Sequence, residues 1–204
     1  MYQIKIMRIS QILVFVLVIA YFLQIILSKD ATDFIFLFVL NPTDLKIWQL
    51  ISSIFLHGSF LHLFLNCYAL YFFGEVLEQR IGQRKFLEIF FLSGIFGNLL
   101  YLFTIYINII PPIPALGASG AIYGIFGALV IFAPELRLLV FGFIPLKIKE
   151  AAVLWFILEL IGTFDITSGI ASAAHLGGLV VGYLLARHYE KEFGNFYKQF
   201  IYKF

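Results

Sequence analysis

A chain of 204 residues that is 62% hydrophobic, 13% charged and of mean hydropathy +0.97 carries more apolar side-chain surface than a soluble domain of this size can hide, so the composition is that of a polytopic membrane protein. The length suits one domain, residues 1–204, with too little sequence outside the apolar runs to build a second. A formal net charge of +2 makes no case for nucleic acid as a partner, and Cys67, the single cysteine, excludes an intrachain disulfide.

The first apolar run, Ile12 to Leu27, follows Lys5 and Arg8. It is long for the core of a secretory signal, and Ser28-Lys29-Asp30 lacks a small-residue cleavage pattern, so a retained first span is expected. Between Lys29 and about Ser53 the apolar stretch Phe34 to Leu40 is too short to cross and closes at Asn41-Pro42. This segment is expected in or on the membrane interface, with Trp48 as an anchor. A second span from about Ser59 to Gln79, a basic turn from Arg80 to Lys85 and a third span from about Phe86 to Ile107 follow.

Pro111, Pro112 and Pro114 then keep the chain extended, because proline offers no N–H and the residue before it avoids the helical region. A fourth span is therefore expected to begin near Ala118 and to end at Pro134. Leu138 to Ile144 is again too short to cross, and Pro145, Lys147 and Lys149 mark an interfacial connection into a fifth span, about Ala151 to Thr163. Asp165 to Gly169 forms a polar return, with Asp165 expected to be solvated, before a sixth span from about Ile170 to Arg187. His188 to Phe204 reads as an amphipathic basic tail.

The basic residues test this six-span path. Twelve of the 14 lysines and arginines fall at the N-terminus, in the second and fourth connections and in the tail, leaving Lys29 and Lys46 on the other side. By the positive-inside rule residues 1–10 and 188–204 are expected to be cytoplasmic, and the Ser119 end of the fourth span to face outward.

Ser119 is a lone hydroxyl at the mouth of that span. In the first turn of a helix the backbone N–H groups lack intrahelical partners and the dipole is positive, which suits a developing oxyanion and makes Ser119 a candidate nucleophile. The alternative is a serine that caps or packs the helix. Of the four histidines, His188 lies in the tail and His57 precedes the second span, so both are expected to be solvated or interfacial, whereas His62 and His175 fall within spans. Counting about 1.5 Å per residue from the cytoplasmic ends places Ser119, His175 and Asn66 about 22, 18 and 21 Å up, one level in a hydrocarbon core of about 30 Å.

Glycines suggest which faces meet. His175, Gly178 and Gly182 share a stripe on the sixth span, and Gly120, Gly124 and Gly127 lie beside Ser119 and Tyr123 on the fourth. Close backbone approach there would bring a serine within hydrogen-bond reach of a histidine. Leucine at Gly182 is expected to force the helices apart, with alanine much milder. His62 and Asn66, four residues apart, can both donate to an oxygen, as an oxyanion hole requires, although they also fit polar contacts between helices. His57 and His62, five apart, with one cysteine and no His-Glu-x-x-His pattern, make a poor metal site, and no metal or cofactor is expected.

Taken together these residues resemble the rhomboid intramembrane serine proteases, over nearly the whole chain. The resemblance rests on Gly117-Ala118-Ser119-Gly120, on Ala174-His175-Leu176-Gly177-Gly178 with Gly182, on the spacing of His62 and Asn66, and on Glu78-Gln79-Arg80. It implies an all-α bundle of six transmembrane helices with a membrane-embedded first loop, and a Ser119/His175 dyad with no third acid. It further implies an oxyanion hole from His62, Asn66 and the Ser119 N–H, with Tyr123 packed beneath the imidazole. The implied substrates are membrane-spanning proteins cut near their outer end, and the implied setting is the bilayer of a prokaryotic cell. The tryptophan-arginine pair of many members reads Trp48-Gln49 here. Two other classes compete: an inactive relative that binds transmembrane helices, which would be expected to lack the serine or the histidine, and a small transporter, for which paired interrupted helices in matching halves are missing.

Overall fold

The structure, a computed structural model, describes residues 7–27, 35–140, 143–165 and 169–201. Lys5, Ser28 to Asp30, Phe34, Ile166 to Ser168 and Lys203, all used in reading the sequence, lie outside the described residues. The helices are α1 (Ile9–Leu27), a short α2 (Gln49–Ser52), α3 (Phe60–Ala69), α4 (Glu75–Tyr106), α5 (Ser119–Phe132), α6 (Ile148–Gly162) and α7 (Ser172–Ile201). Among the described residues two stretches, Ile9–Leu27 and Phe60–Tyr106, are long and apolar enough to cross a membrane, and Ser119–Phe132 is a shorter apolar helix.

The first helix starts on a carboxylate. Glu78, almost fully buried, accepts from the N–H groups of Ile9 and Ser10 at 3.0 and 2.9 Å and from the Ser10 hydroxyl at 2.8 Å. A negative charge on these unpartnered N–H groups also complements the helix dipole. Where α1 passes the junction of α3 and α4, the chain adopts a π-helical turn, Leu70–Gly74, and a β-carbon on Gly74 would stand 3.0 Å from Ser10 Cβ.

The separation of the second and third expected spans is sharper than a six-residue basic turn. Helical geometry runs on either side of one residue, Gly82, whose φ of 79° and ψ of 167° reverse the path. Glycine reaches this left-handed region without the Cβ clash other residues suffer. The chain after α5 also departs from an apolar interfacial stretch: Arg137–Val140 and Ile144–Lys147 pair as an antiparallel hairpin, β1 and β2, in which Arg137 faces Lys147. The last helix runs on through the expected tail boundary at His188 as far as Ile201.

The first loop is held by its own polar groups. The Trp48 indole donates to Leu37 O at 2.8 Å, and the Ser52 hydroxyl to Phe38 O at 2.7 Å. Gln49 is buried; its amide donates to Phe36 O at 3.0 Å and accepts from the N–H groups of Asn41 and Lys46 at 3.2 and 3.1 Å.

At the centre stands α5, apolar on every side and buried along most of its length, as a helix with no polar face must be. It packs against α4 and α7 through small residues. A β-carbon on Gly178 would run into Gly120 O, one on Gly182 into Gly124 O, and one on Gly127 into Leu179 O, so α5 and α7 meet backbone to backbone.

Candidate active site

Ser119 is the first residue of α5, and the N-cap is Ala118, which supplies no side-chain cap. The Ser119 hydroxyl is thus not spent on capping. It lies 2.7 Å from His175 Nε2, at the start of α7, and in the first turn of α5, where backbone N–H groups lack intrahelical partners. Three features fix this pair. Gly120 lets α7 approach, since a β-carbon there would stand 3.3 Å from Ala174 O. The Tyr123 ring, one turn along α5, stacks on the imidazole with centroids 4.4 Å apart and planes inclined by 6°. The extended segment before Ser119 is pinned by Gly117 N–H to Ser53 O at 2.9 Å, Ala115 N–H to Leu40 O at 2.9 Å and the Tyr101 hydroxyl to Ile113 O at 2.8 Å.

The serine and histidine line a cavity of about 690 Å³, with His62 and Asn66 from α3 on its wall. Ser59 caps α3 through the His62 N–H at 3.1 Å, and Asn66 Nδ2 donates to His62 O at 2.8 Å. That bond occupies one of the two amide hydrogens and leaves the other for a bound oxygen. Gly117, at φ 125°, has the His62 ring against it: a β-carbon would stand 2.7 Å from His62 Cε1. Of the expected site residues, Ser119, His175, His62, Asn66 and Tyr123 line this cavity, Gly117 packs against the His62 ring, and Gly120, Gly178 and Gly182 lie in the helix contact that supports it. Asp165 is exposed on the rim.

One residue stands differently from its expected place, and a second joins the site without having been expected there. His57 is fully buried rather than solvated or interfacial. Gln24 on α1 clamps its backbone, accepting from His57 N–H at 3.1 Å and donating to His57 O at 2.9 Å, and its ring meets His62 edge to face at 5.0 Å between centroids. The second is Glu159 on α6. Its Oε1 lies 3.0 Å from His175 Nδ1 and also accepts the Tyr123 hydroxyl hydrogen. The two atoms are in close polar contact, without the geometry of an aligned hydrogen bond. A signal for Glu159 did exist: a carboxylate within an otherwise apolar run is costly at membrane depth and marks a functional group by default.

The Rhomboid domain profile matches residues 44–191, most of the chain and all of this site. The chain belongs to the rhomboid family. Among similar proteins, YdcA of Bacillus subtilis (strain 168) is 34% identical over 142 residues, covering 68% of this chain and 65% of the relative. Rhomboid-like protease 3 of Toxoplasma gondii is 31% identical over 166 residues, 78% of this chain and 57% of the relative. Rhomboid protease GlpG of Yersinia pestis (strain Pestoides F) is 32% identical over 149 residues, 70% of this chain and 48% of the relative. The matched part is thus about half to two thirds of the length of these rhomboid relatives.

Proposed function

We propose that this rhomboid is an intramembrane serine endopeptidase that cuts membrane-spanning substrates near their outer end with Ser119 and His175. The observation that carries this reading is the 2.7 Å contact of Ser119 Oγ with His175 Nε2 at the N-terminus of a helix, on the wall of a large cavity. His175 Nε2 takes the hydroxyl proton as Ser119 Oγ attacks the substrate carbonyl carbon. The Ser119 N–H, the free hydrogen of the Asn66 amide and His62 meet the negative oxygen of the tetrahedral intermediate. As the C–N bond breaks, the proton on Nε2 passes to the leaving amine. Water, deprotonated by the same nitrogen, then attacks the acyl-enzyme and releases the carboxylic acid product with Ser119 restored.

The 14 residues of α5 rise only about 21 Å, so a helix that starts at the cytoplasmic face ends about 10 Å short of the outer edge of a 30 Å core. That length supports a site below the outer surface, and the cavity gives it water. The distribution of basic residues supports six crossings with both termini in the cytoplasm.

The test combines labelling with cleavage. A fluorophosphonate should modify Ser119, located by mass spectrometry, and Ser119→Ala and His175→Ala should each abolish cleavage of a transmembrane substrate in liposomes while the melting temperature stays nearly unchanged. Full activity in either variant overturns the assignment.

A further inference from the structure

We propose that Glu159 is a positioning residue for His175, a carboxylate that orients the imidazole of the Ser119–His175 pair. The proposal rests on the serine-histidine reading above. Glu159 sits on α6 among side chains that turn outward: Phe156, Ile157, Leu158, Leu160 and Ile161 are all exposed on the apolar outer surface, while the Glu159 side chain is only 12% exposed. Holding a carboxylate inward on such a helix is costly unless it is paired. What it meets there is the ring that has to take the serine proton. Oε1 stands 3.0 Å from Nδ1, on the far side of the imidazole from Ser119, and Nδ1 is buried with no aligned hydrogen-bond partner.

This geometry has a chemical consequence. For Nε2 to accept the Ser119 proton, the neutral ring must carry its hydrogen on Nδ1, and a carboxylate facing Nδ1 selects that tautomer. When Nε2 becomes protonated, the same carboxylate lies against the imidazolium without taking its proton. The Tyr123 hydroxyl, donating to Oε1, and Ser172, whose side chain also reaches the carboxylate, fix where that charge lies. Tyr123 thereby holds the ring from beneath and its orienting group from the side. A polar contact of 3.0 Å without that alignment is the state expected before substrate arrives, since such bonds commonly align only when substrate is bound.

A merely structural glutamate, latching α6 to α7, would act on stability and on substrate entry. A positioning glutamate acts on turnover and on the ring. Glu159→Gln keeps the volume and a carbonyl acceptor but loses the charge, and Glu159→Leu loses both. Orientation is one part of a general-base contribution of about 10² to 10⁴. The expected result is therefore kcat lower by about 10-fold in Glu159→Gln and by about 100-fold in Glu159→Leu, with KM changed less than threefold. With 15N-labelled histidine, the His175 signal should show hydrogen on Nδ1 in the parent and in Glu159→Gln, and a shift of hydrogen to Nε2 in Glu159→Leu. Parent kcat in Glu159→Gln overturns the proposal, as does a parent-like ring spectrum in Glu159→Leu. If Glu159→Leu does not fold, kcat of Glu159→Gln decides, and a value equal to the parent is the negative result. Ser119→Ala and His175→Ala run alongside: activity in either removes the serine-histidine reading and this proposal with it, whereas two inactive controls beside a fully active Glu159→Gln remove Glu159 alone.

Discussion

The contact of α5 with α7 makes Gly182 a strong test of how the site is assembled. Gly182 lies seven residues beyond His175, about 10 Å along the helix axis, so its substitution changes no group near substrate. A single β-carbon there would overlap Gly124 O and stand 2.5 Å from Gly124 C and Cα, where ordinary contacts begin at 3.4 Å. These are backbone atoms of a buried helix and have no rotamer by which to withdraw. The two helices must therefore part by about 1 Å for alanine and by more for leucine. Overpacking of this kind costs about 1 to 3 kcal/mol. The same separation carried to the level of the site would stretch the Ser119–His175 contact from 2.7 Å beyond hydrogen-bond range, and a misplacement of 1 Å costs on the order of 100-fold in rate. Gly182→Ala, expected from sequence to be mild, should thus lose about 100-fold in kcat while its melting temperature falls by about 2 to 10 °C. Cleavage of a transmembrane substrate in liposomes, the rate of fluorophosphonate labelling and a thermal melt measure the three quantities. Parent rates of cleavage and labelling in Gly182→Ala would show that this contact does not set the catalytic geometry.

Other expectations concern separate parts of the molecule. Glu78→Ala leaves the first N–H groups of α1 and the Ser10 hydroxyl without a buried acceptor, and should cost at least about 2 kcal/mol and expose α1 to protease, with Glu78→Gln intermediate; an unchanged melt would mean that the contact adds nothing. Gln49→Ala removes the amide that ties Phe36, Asn41 and Lys46 together, and should loosen the first loop by about 1 to 3 kcal/mol, read as faster hydrogen exchange at Asn41 and Lys46 with little change in kcat. Asn66→Ala should lower kcat by at most about 10² to 10³ and leave KM nearly constant, because an oxyanion donor acts in the transition state; a change confined to KM would make Asn66 a substrate contact. Single cysteines at Asp165 and Gln83, in a Cys67→Ser background, should react with an impermeant maleimide from opposite sides of the membrane, and reaction from one side would refute the six crossings.

Much of this protein was written locally. Composition and the length of the apolar runs determined a membrane protein, since no arrangement of such a chain can hide that much hydrocarbon from water. Three prolines fixed where α5 starts and so put Ser119 in its first turn, and small residues at helical spacing marked the faces that pack. Each of these depends on a residue and its near neighbours. What escaped the sequence depends on residues far apart in it. His57 is buried because Gln24, 33 residues earlier, clamps its backbone. Glu159 is a partner of His175 only because α6 turns one narrow inward edge toward Tyr123 and the start of α7. The reversal at Gly82 needed the observed φ, since a glycine in a basic stretch fits a loose turn equally well. The severity of alanine at Gly182 could not be read from a glycine stripe, which says that helices approach but not how closely. That distance is decided by every contact along α5 and α7 at once, and it exists only in the folded chain.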